Sequence, residues 1–263
     1  MVFLDEGGST SRRWHPILSV GGVMLDTDHL CEVEEIWRNA KRQHDLEGHD
    51  LRFGLKWPGG PKQRMEMIQV VGTLPLRAVA ALLEDFRPLH MRVRKPTRAD
   101  LYVHEDAFKY VLQRLCAPQY AASGGNHMVV FDHGDHFRKL DEQYRQCHGQ
   151  PWGDFGFPSL RNVGYSESLT AACGGPMVEI ADLVLGSLTR WAMCRCAVEA
   201  GKDVPERQEL DRACAAVIGH FPVRDGGMPL RRRGWSVVVH TGNLTGKDML
   251  RDHIDGWIRE LPG

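Results

Sequence analysis

The hydrophobic pattern at the start of the chain predicts a β-hairpin. Val2–Leu4 is a short apolar run that ends before Gly7 and Gly8, which is typical of a buried strand stopped by glycines. Ile17–Leu25 is a second strand-like run. The polar loop Ser9–His15 would join the two runs as a hairpin.

Downstream of the hairpin, helical and extended periodicity alternate. A helical stripe begins at Asp28 and stops at Gly48, and Leu51–Trp57 predicts another short strand before a helix through Met65, Ile68 and Val71. Leu76–Leu83 and Leu89–Val93 fit either a strand or a helix. The remaining predicted elements are a helix over Asp106–Leu115, a strand over His127–Asp132, a polar helix over Phe137–Cys147, a strand over Ser159–Tyr165, a helix over Gly175–Ala200, a strand over Trp235–His240 and a helix over Leu250–Leu261. This order predicts one α/β domain over residues 1–263, with its core in about 1–200 and a C-terminal extension over about 201–263.

Composition narrows the class of protein. Hydrophobic residues make up 42% and charged residues 25% of the 263, which is typical of a globular chain and excludes disorder. The 33 basic and 34 acidic residues nearly cancel, so any nucleic-acid contact must be local. No apolar run reaches the roughly 18 residues of a membrane span, and the acidic N-terminus is unlike a signal peptide. We therefore expect a cytoplasmic protein with no membrane partner.

The cysteines point to neither disulfides nor zinc. There are seven, their spacing is scattered, and no C-x-x-C pair occurs. Reduced thiols, several of them in the core, are the expected state.

Three aspartates occupy places where a carboxylate is costly. Asp5 follows the first strand, Asp132 ends the later buried strand, and Asp182 lies in an almost wholly apolar helix. On a helical wheel, the one polar sector of that helix holds Glu179, Asp182 and Gly186, which are stacked on one face. Buried carboxylates need a partner, and Gly186 leaves room for one to approach. Separate caps or salt bridges would be the alternative explanation.

A divalent cation is the partner that would serve all of these acids together. Mg²⁺ or Mn²⁺ prefers oxygen ligands, and one or two such ions can activate water against a phosphodiester. The predicted metal ligands and catalytic groups are Asp5, Asp132, Asp182 and Glu179, with Glu6 and Asp135 as possible further ligands. Because neighbouring strand residues face opposite sides of a sheet, Asp5 is a better ligand than Glu6.

Other motifs fit less well. Asp132-His133-Gly134-Asp135-His136 could bind zinc or manganese, but no earlier D-x-H segment completes such a site. Gly242–Asp248 has the wrong spacing for a phosphate loop, and no G-x-S-x-G nucleophile motif occurs. Arg231, Arg232 and Arg233 beside Trp235 suit a nucleic-acid backbone, or form a solvated charged face.

Several of these segments together resemble the DUF3800 family of bacteria, mobile elements and phages. The resemblance runs from residue 3 to about 190 and rests on the segments FLDEGG, GGV, LKW, VVFD, SES and EIADLVLG. It implies a ribonuclease H-like mixed sheet flanked by helices, with an acidic metal site carried by Asp5, Asp132 and Asp182. In this family pattern, Lys56 would contact a phosphate or position a water.

The sequence departs from that family at two positions. Gly54 stands where members often have an acid, and Glu179 stands where they commonly have glutamine. The expected function is metal-dependent hydrolysis of nucleic acid. The alternative is a non-catalytic nucleic-acid- or protein-binding module of a mobile-element or defence system on the same fold.

Overall fold

A mixed β-sheet with helices packed on it organises the chain. The computed structural model describes residues 1–9, 17–84, 107, 108, 110, 111, 115, 127–131, 163–166, 175–221, 237–241 and 249–262. The strands are β1 (Val2–Ser9), β2 (Ile17–Met24), β3 (Arg77–Glu84), β4 (His127–Phe131), β5 (Val163–Ser166) and β6 (Val237–Thr241). They form one six-stranded sheet in the order β5-β4-β1-β2-β3-β6.

The sheet combines an antiparallel meander with parallel neighbours. β1 pairs with β2, and β2 with β3, in antiparallel register, which confirms the predicted hairpin and shows that the undecided run Leu76–Leu83 lies largely in a strand. β1 is longer than predicted, because it continues through Gly7 and Gly8 to Ser9 instead of stopping at the glycines. β4 lies parallel to both β1 and β5, and β6 lies parallel to β3. Val129 and Val130 of β4 are fully buried, as expected of a central strand covered on both faces.

The helices follow the predicted periodicities. After a short 3-10 turn at Thr27–His29, they are α1 (Leu30–Gln43), α2 (Gly60–Thr73), α3 (Gly175–Glu199), α4 (Arg207–Ile218) and α5 (Met249–Arg259). Residues 107, 108, 110, 111 and 115 are also helical, within the predicted helix Asp106–Leu115. The described helices include none that is long and apolar enough to span a bilayer. The predicted helix Phe137–Cys147 and the run Leu89–Val93 lie outside the described residues.

Helix α3 is the central helix of the core and packs across β1 and β2. Its apolar circumference explains this position, since almost every side chain of the helix is buried. The contact also includes a polar pair, in which Thr189 Oγ1 lies 2.8 Å from Ser19 Oγ of β2. Phe3 of β1 and Val130 of β4 belong to the same core cluster, which identifies the face of the sheet that α3 covers.

Two local predictions need correction. Leu51–Trp57 is a turn-containing segment rather than a strand: the backbone N–H groups of Leu51 and Phe53 donate to carboxylates of α3 instead of to the backbone of a neighbouring strand. The polar stretch after Ala200, for which no element was predicted, contains α4. Its four buried residues recur at helical spacing and pack between α2 and α3: Leu210, Ala213, Cys214 and Val217.

Candidate functional site

Two of the predicted acids, Asp5 and Asp182, meet where β1 contacts α3. Asp5 is only 6% exposed, and a side-chain hydrogen bond joins its carboxyl group to that of Asp182. The backbone N–H of Glu6 donates to Asp5 Oδ1 over 2.7 Å. The fold therefore brings together two carboxyl groups from distant parts of the sequence, and we call them the aspartate pair.

The surroundings of Asp182 disfavour its charged form. Burial raises the pKa of this carboxyl group above its usual 3.8, and the charge of Asp50 raises it further. The backbone N–H of Phe53, 2.5 Å from Asp182 Oδ2, the Arg52 guanidinium and the Asp5 hydrogen bond oppose the effect of burial. Two carboxyl groups in contact either share a proton or recruit a cation.

Arg52 is a positively charged residue in direct contact with the aspartate pair. Its Nη1 atom lies 3.3 Å from Asp5 Oδ2, and its Nε atom lies 3.3 Å from Oδ1 of Asp50. Arg52 thus divides its charge between a buried and an exposed carboxylate. Sequence analysis missed this residue because it lies in the apolar segment interpreted as a strand.

Glu179, one turn before Asp182, has a different environment. Its two carboxylate oxygens accept four hydrogen bonds: one from Trp37 Nε1 at 2.7 Å, two from Lys41 Nζ at 2.9 and 3.1 Å, and one from the Leu51 N–H at 3.1 Å. The residue is 8% exposed. Glu179 therefore fastens α1 and the segment around Leu51 to α3, and these bonds engage both of its oxygens.

Gly186 makes room for protein rather than for a ligand. A methyl group at this position would lie 2.5 Å from Cβ of Phe53, so the Phe53 side chain fills the space that the glycine leaves. This close approach positions the Phe53 N–H on Asp182. The segment from Leu51 to Phe53 is consequently anchored to α3 twice, through Glu179 and through Asp182.

The other predicted site residues are distributed as follows. Glu6 is half-buried beside Asp5 and, by strand alternation, faces the other side of the sheet. Lys56 is exposed and lines a cavity of about 370 Å³ together with Arg52 and Trp57. The predicted residues that lie outside the described part of the chain are Asp132, Asp135, Arg231, Arg232 and Arg233.

The aspartate pair fits a hard cation in its donor chemistry. Both donors are carboxylate oxygens, the ligands that Mg²⁺ and Mn²⁺ prefer. Within the described ranges, no group of three or more histidine, cysteine or acidic side chains converges on one point.

Comparison with known proteins adds no relative. No family model matches the chain, and no curated protein shows significant similarity to it.

Proposed function

We propose that the protein is a divalent-metal-dependent phosphodiesterase that acts on nucleic acid, built on a ribonuclease H-like fold of the DUF3800 type. This proposal depends on the contact between two carboxyl groups: that of Asp5, on the central strand β1, and that of Asp182, on α3. Two like charges buried side by side destabilise a fold unless a cation offsets them, and such arrangements are typical of functional sites.

The sheet supports the fold assignment. Within it, β3-β2-β1-β4-β5 is a run of three antiparallel strands followed by two strands parallel to β1. That order and these directions are what a ribonuclease H-like sheet would have. Strand β6 adds a further parallel neighbour at the β3 edge.

The strand register supports Asp132 as the third ligand. β1 and β4 run parallel, with Phe3 opposite Val130 and Leu4 opposite Phe131. In the sequence, Asp5 follows Leu4 and Asp132 follows Phe131. Phe3 and Val130 both contribute to the core on the α3 side. By strand alternation Asp5 shares that side, and in this proposal Asp132, two residues after Val130, would share it as well.

In this proposal, the aspartate pair would hold Mg²⁺ or Mn²⁺, with Asp132 completing the site. When bound, the ion would supply Lewis-acid activation of the phosphate and of the attacking water. Asp5 and Asp182 would orient the ion, the Phe53 N–H would fix the Asp182 carboxylate, and Arg52 would offset charge beside them. No side chain need act as a nucleophile. Glu179 has an anchoring role here, because its four hydrogen bonds join α3 to α1 and to the backbone of Leu51.

A non-catalytic binding module is the second candidate. The contact of Arg52 with Asp5 favours it, because a guanidinium already supplies positive charge to that carboxylate. Gly54, where family members often have an acid, also favours it. A module of this kind would keep the nucleic-acid surface without the metal chemistry.

Metal titration and cleavage on the same preparations test the two candidates. Wild type should bind Mn²⁺ by calorimetry and cut labelled DNA or RNA, whereas Asp182→Asn and Asp132→Asn should lose cleavage by more than about 100-fold, beyond the loss typical of outer-shell changes. Mn²⁺ at 100 times its Kd should also stabilise wild type by about 2.7 kcal/mol. Glu35→Gln, an exposed residue of α1, is the matched carboxylate control. Cleavage that survives Asp182→Asn would exclude the assigned site, and absence of metal binding would favour the module.

A further inference from the structure

A second, larger cavity lies beside the aspartate pair, between α1 and the beginning of α3. It has a volume of about 770 Å³ and includes Gly175, Pro176 and Val178 in its wall. The cationic or titratable basic residues that line it are Arg38, Lys41, Arg42, His49 and Arg52. Glu47, Asp50 and Glu179 are the acids of the same lining. We call this cavity the α1 groove.

We propose that the α1 groove binds the phosphodiester backbone of nucleic acid and leads it to the aspartate pair. This inference rests on the proposed function and adds a substrate-binding surface to it. Lys56, which the sequence singled out for nucleic-acid binding, lines the smaller cavity and is not among the described residues that line the groove.

The groove is continuous with the candidate site. Arg52 lines the α1 groove, lines the smaller cavity beside Lys56, and contacts Asp5 over 3.3 Å. His49 and Asp50 are likewise shared by the two cavities. A strand seated in the groove would therefore pass the guanidinium that touches the aspartate pair.

At the outer part of the groove, a phosphate can replace the carboxylates that pair with the arginines at a small cost in free energy. The side chains of Arg38 and Arg42 are 54% and 56% exposed, and their partners Glu34 and Glu47 lie 2.6 and 3.7 Å away. Exposed pairs of this kind contribute only about 0–1 kcal/mol each, so a phosphate can replace the carboxylate. Lys41 differs, since Glu179 and the His49 carbonyl group hold it in the wall. Arg38 and Arg42 are thus the residues that would contact the backbone.

The lining favours phosphate contacts over base stacking. Its described aromatic residue, Trp37, is fully buried, and its indole N–H is bonded to Glu179. Among the described lining residues, the exposed ring is the imidazole of His49, so stacking would be limited and recognition would rely mainly on charge. Binding should then be largely independent of sequence and strongly dependent on salt.

Fluorescence anisotropy with a labelled DNA duplex and the matching RNA, in EDTA to prevent cleavage, tests the groove. The variant is Arg38→Ala with Arg42→Ala, and the control is Arg212→Ala, an exposed arginine on α4 that does not line the groove. We expect the double variant to bind more weakly and to lower the slope of log K against log salt by about 2, one per lost contact. The control should match wild type.

The outcomes separate this inference from the proposed function. An unchanged slope in the double variant, with a wild-type melting temperature, would overturn the groove while leaving metal-dependent cleavage intact. A lowered slope in a protein that never cuts would support the groove and favour the binding module. Displacement of the probe by polyglutamate as readily as by unlabelled duplex would overturn the assignment to nucleic acid.

Discussion

Glu179 and Asp182 lie one turn apart on α3, and the regions around them are opposite in character. The Glu179 region pairs one carboxylate with a lysine, an indole and a backbone N–H. The Asp182 region places one carboxyl group against another, with a single arginine shared among three acids. A cluster in which opposite charges are paired and hydrogen-bonded stabilises a fold. Two carboxylates in contact repel each other unless a cation offsets their charge.

Near the C-terminal end of α3, the kind of cluster found around Glu179 recurs. Arg195 is 4% exposed and bonds to Asp211 at 2.9 Å and to Glu260 at 2.7 Å, which ties α3 to α4 and to the end of α5. Trp191 donates its indole N–H to Asp211 as well. The same pattern of tryptophan, base and acid therefore recurs at two joints of the helix. At Asp182, by contrast, one carboxyl group lies against another.

The largest effect should come from breaking the satisfied cluster. Glu179→Gln keeps the shape of the side chain but removes its charge, leaving Lys41 and the Leu51 N–H with a weaker acceptor. Because hydrogen bonds to charged groups contribute about 1.5–3 kcal/mol, we expect the free energy of unfolding to fall by about 2 kcal/mol. Urea denaturation at neutral pH measures this loss.

The control for Glu179 is Glu34→Gln, which removes an exposed helix-surface pair with Arg38. Such a pair contributes at most about 0.5 kcal/mol. Equal losses in the two variants would contradict the contrast drawn between the Glu179 cluster and ordinary surface pairs. Metal binding should survive Glu179→Gln if the residue is an anchor, and should disappear if it is a ligand.

A smaller effect is expected where the Phe53 segment packs on α3. Gly186→Ala would place its methyl group 2.5 Å from Phe53 Cβ, so the segment must shift. Overpacking costs about 1–3 kcal/mol, and the gain in helix propensity over glycine returns about 0.5–1 kcal/mol. We expect a net loss of about 1 kcal/mol by urea denaturation, together with weaker metal binding because the Phe53 N–H moves off Asp182.

Gly54→Ala is the matched control, because its added methyl group would meet nothing closer than Arg190 Nη2 at 3.9 Å. The change in its unfolding free energy should stay within about 0.5 kcal/mol. If Gly186→Ala is equally neutral, the Phe53 segment is not held as described.

Periodicity was sufficient for the elements that pack through regular apolar faces. The hairpin, the central strand β4 and the long helix α3 followed from apolar runs and helical spacing, because burial of those faces is what forms them. Segment Leu51–Trp57 misled the prediction because its apolar residues cover a helix individually instead of alternating along a strand. Helix α4 was missed because its short apolar stripe lies among many charges.

For the site, the sequence identified acids but not their partners. The narrow polar sector of α3 singled out both Glu179 and Asp182, and strand position singled out Asp5. No local pattern could show that Trp37 and Lys41 of α1 reach Glu179, or that Arg52 reaches Asp5, since those contacts depend on tertiary packing. Tertiary packing therefore decides whether an acid of α3 anchors other segments or belongs to the aspartate pair.

The smallest change in the unmetallated protein should follow Asp182→Asn, and its dependence on pH is the sharpest test of the contrast. The folded-state pKa of Asp182 is raised, mainly by burial, so the protonated form fits the fold better than the ionised form. Its stabilising contribution is fully present below the usual value of 3.8 and is lost as the pH rises through the higher folded value. The asparagine does not titrate, so the variant should gain stability relative to wild type as the pH rises above about 4, and should equal or exceed wild type at neutral pH.

Urea denaturation of both proteins across this range measures the difference, with the exposed Asp28→Asn as a control of equal net charge. A variant that loses stability relative to wild type with rising pH would instead mark Asp182 as a member of a stabilising ion pair, and the contrast with Glu179 would disappear.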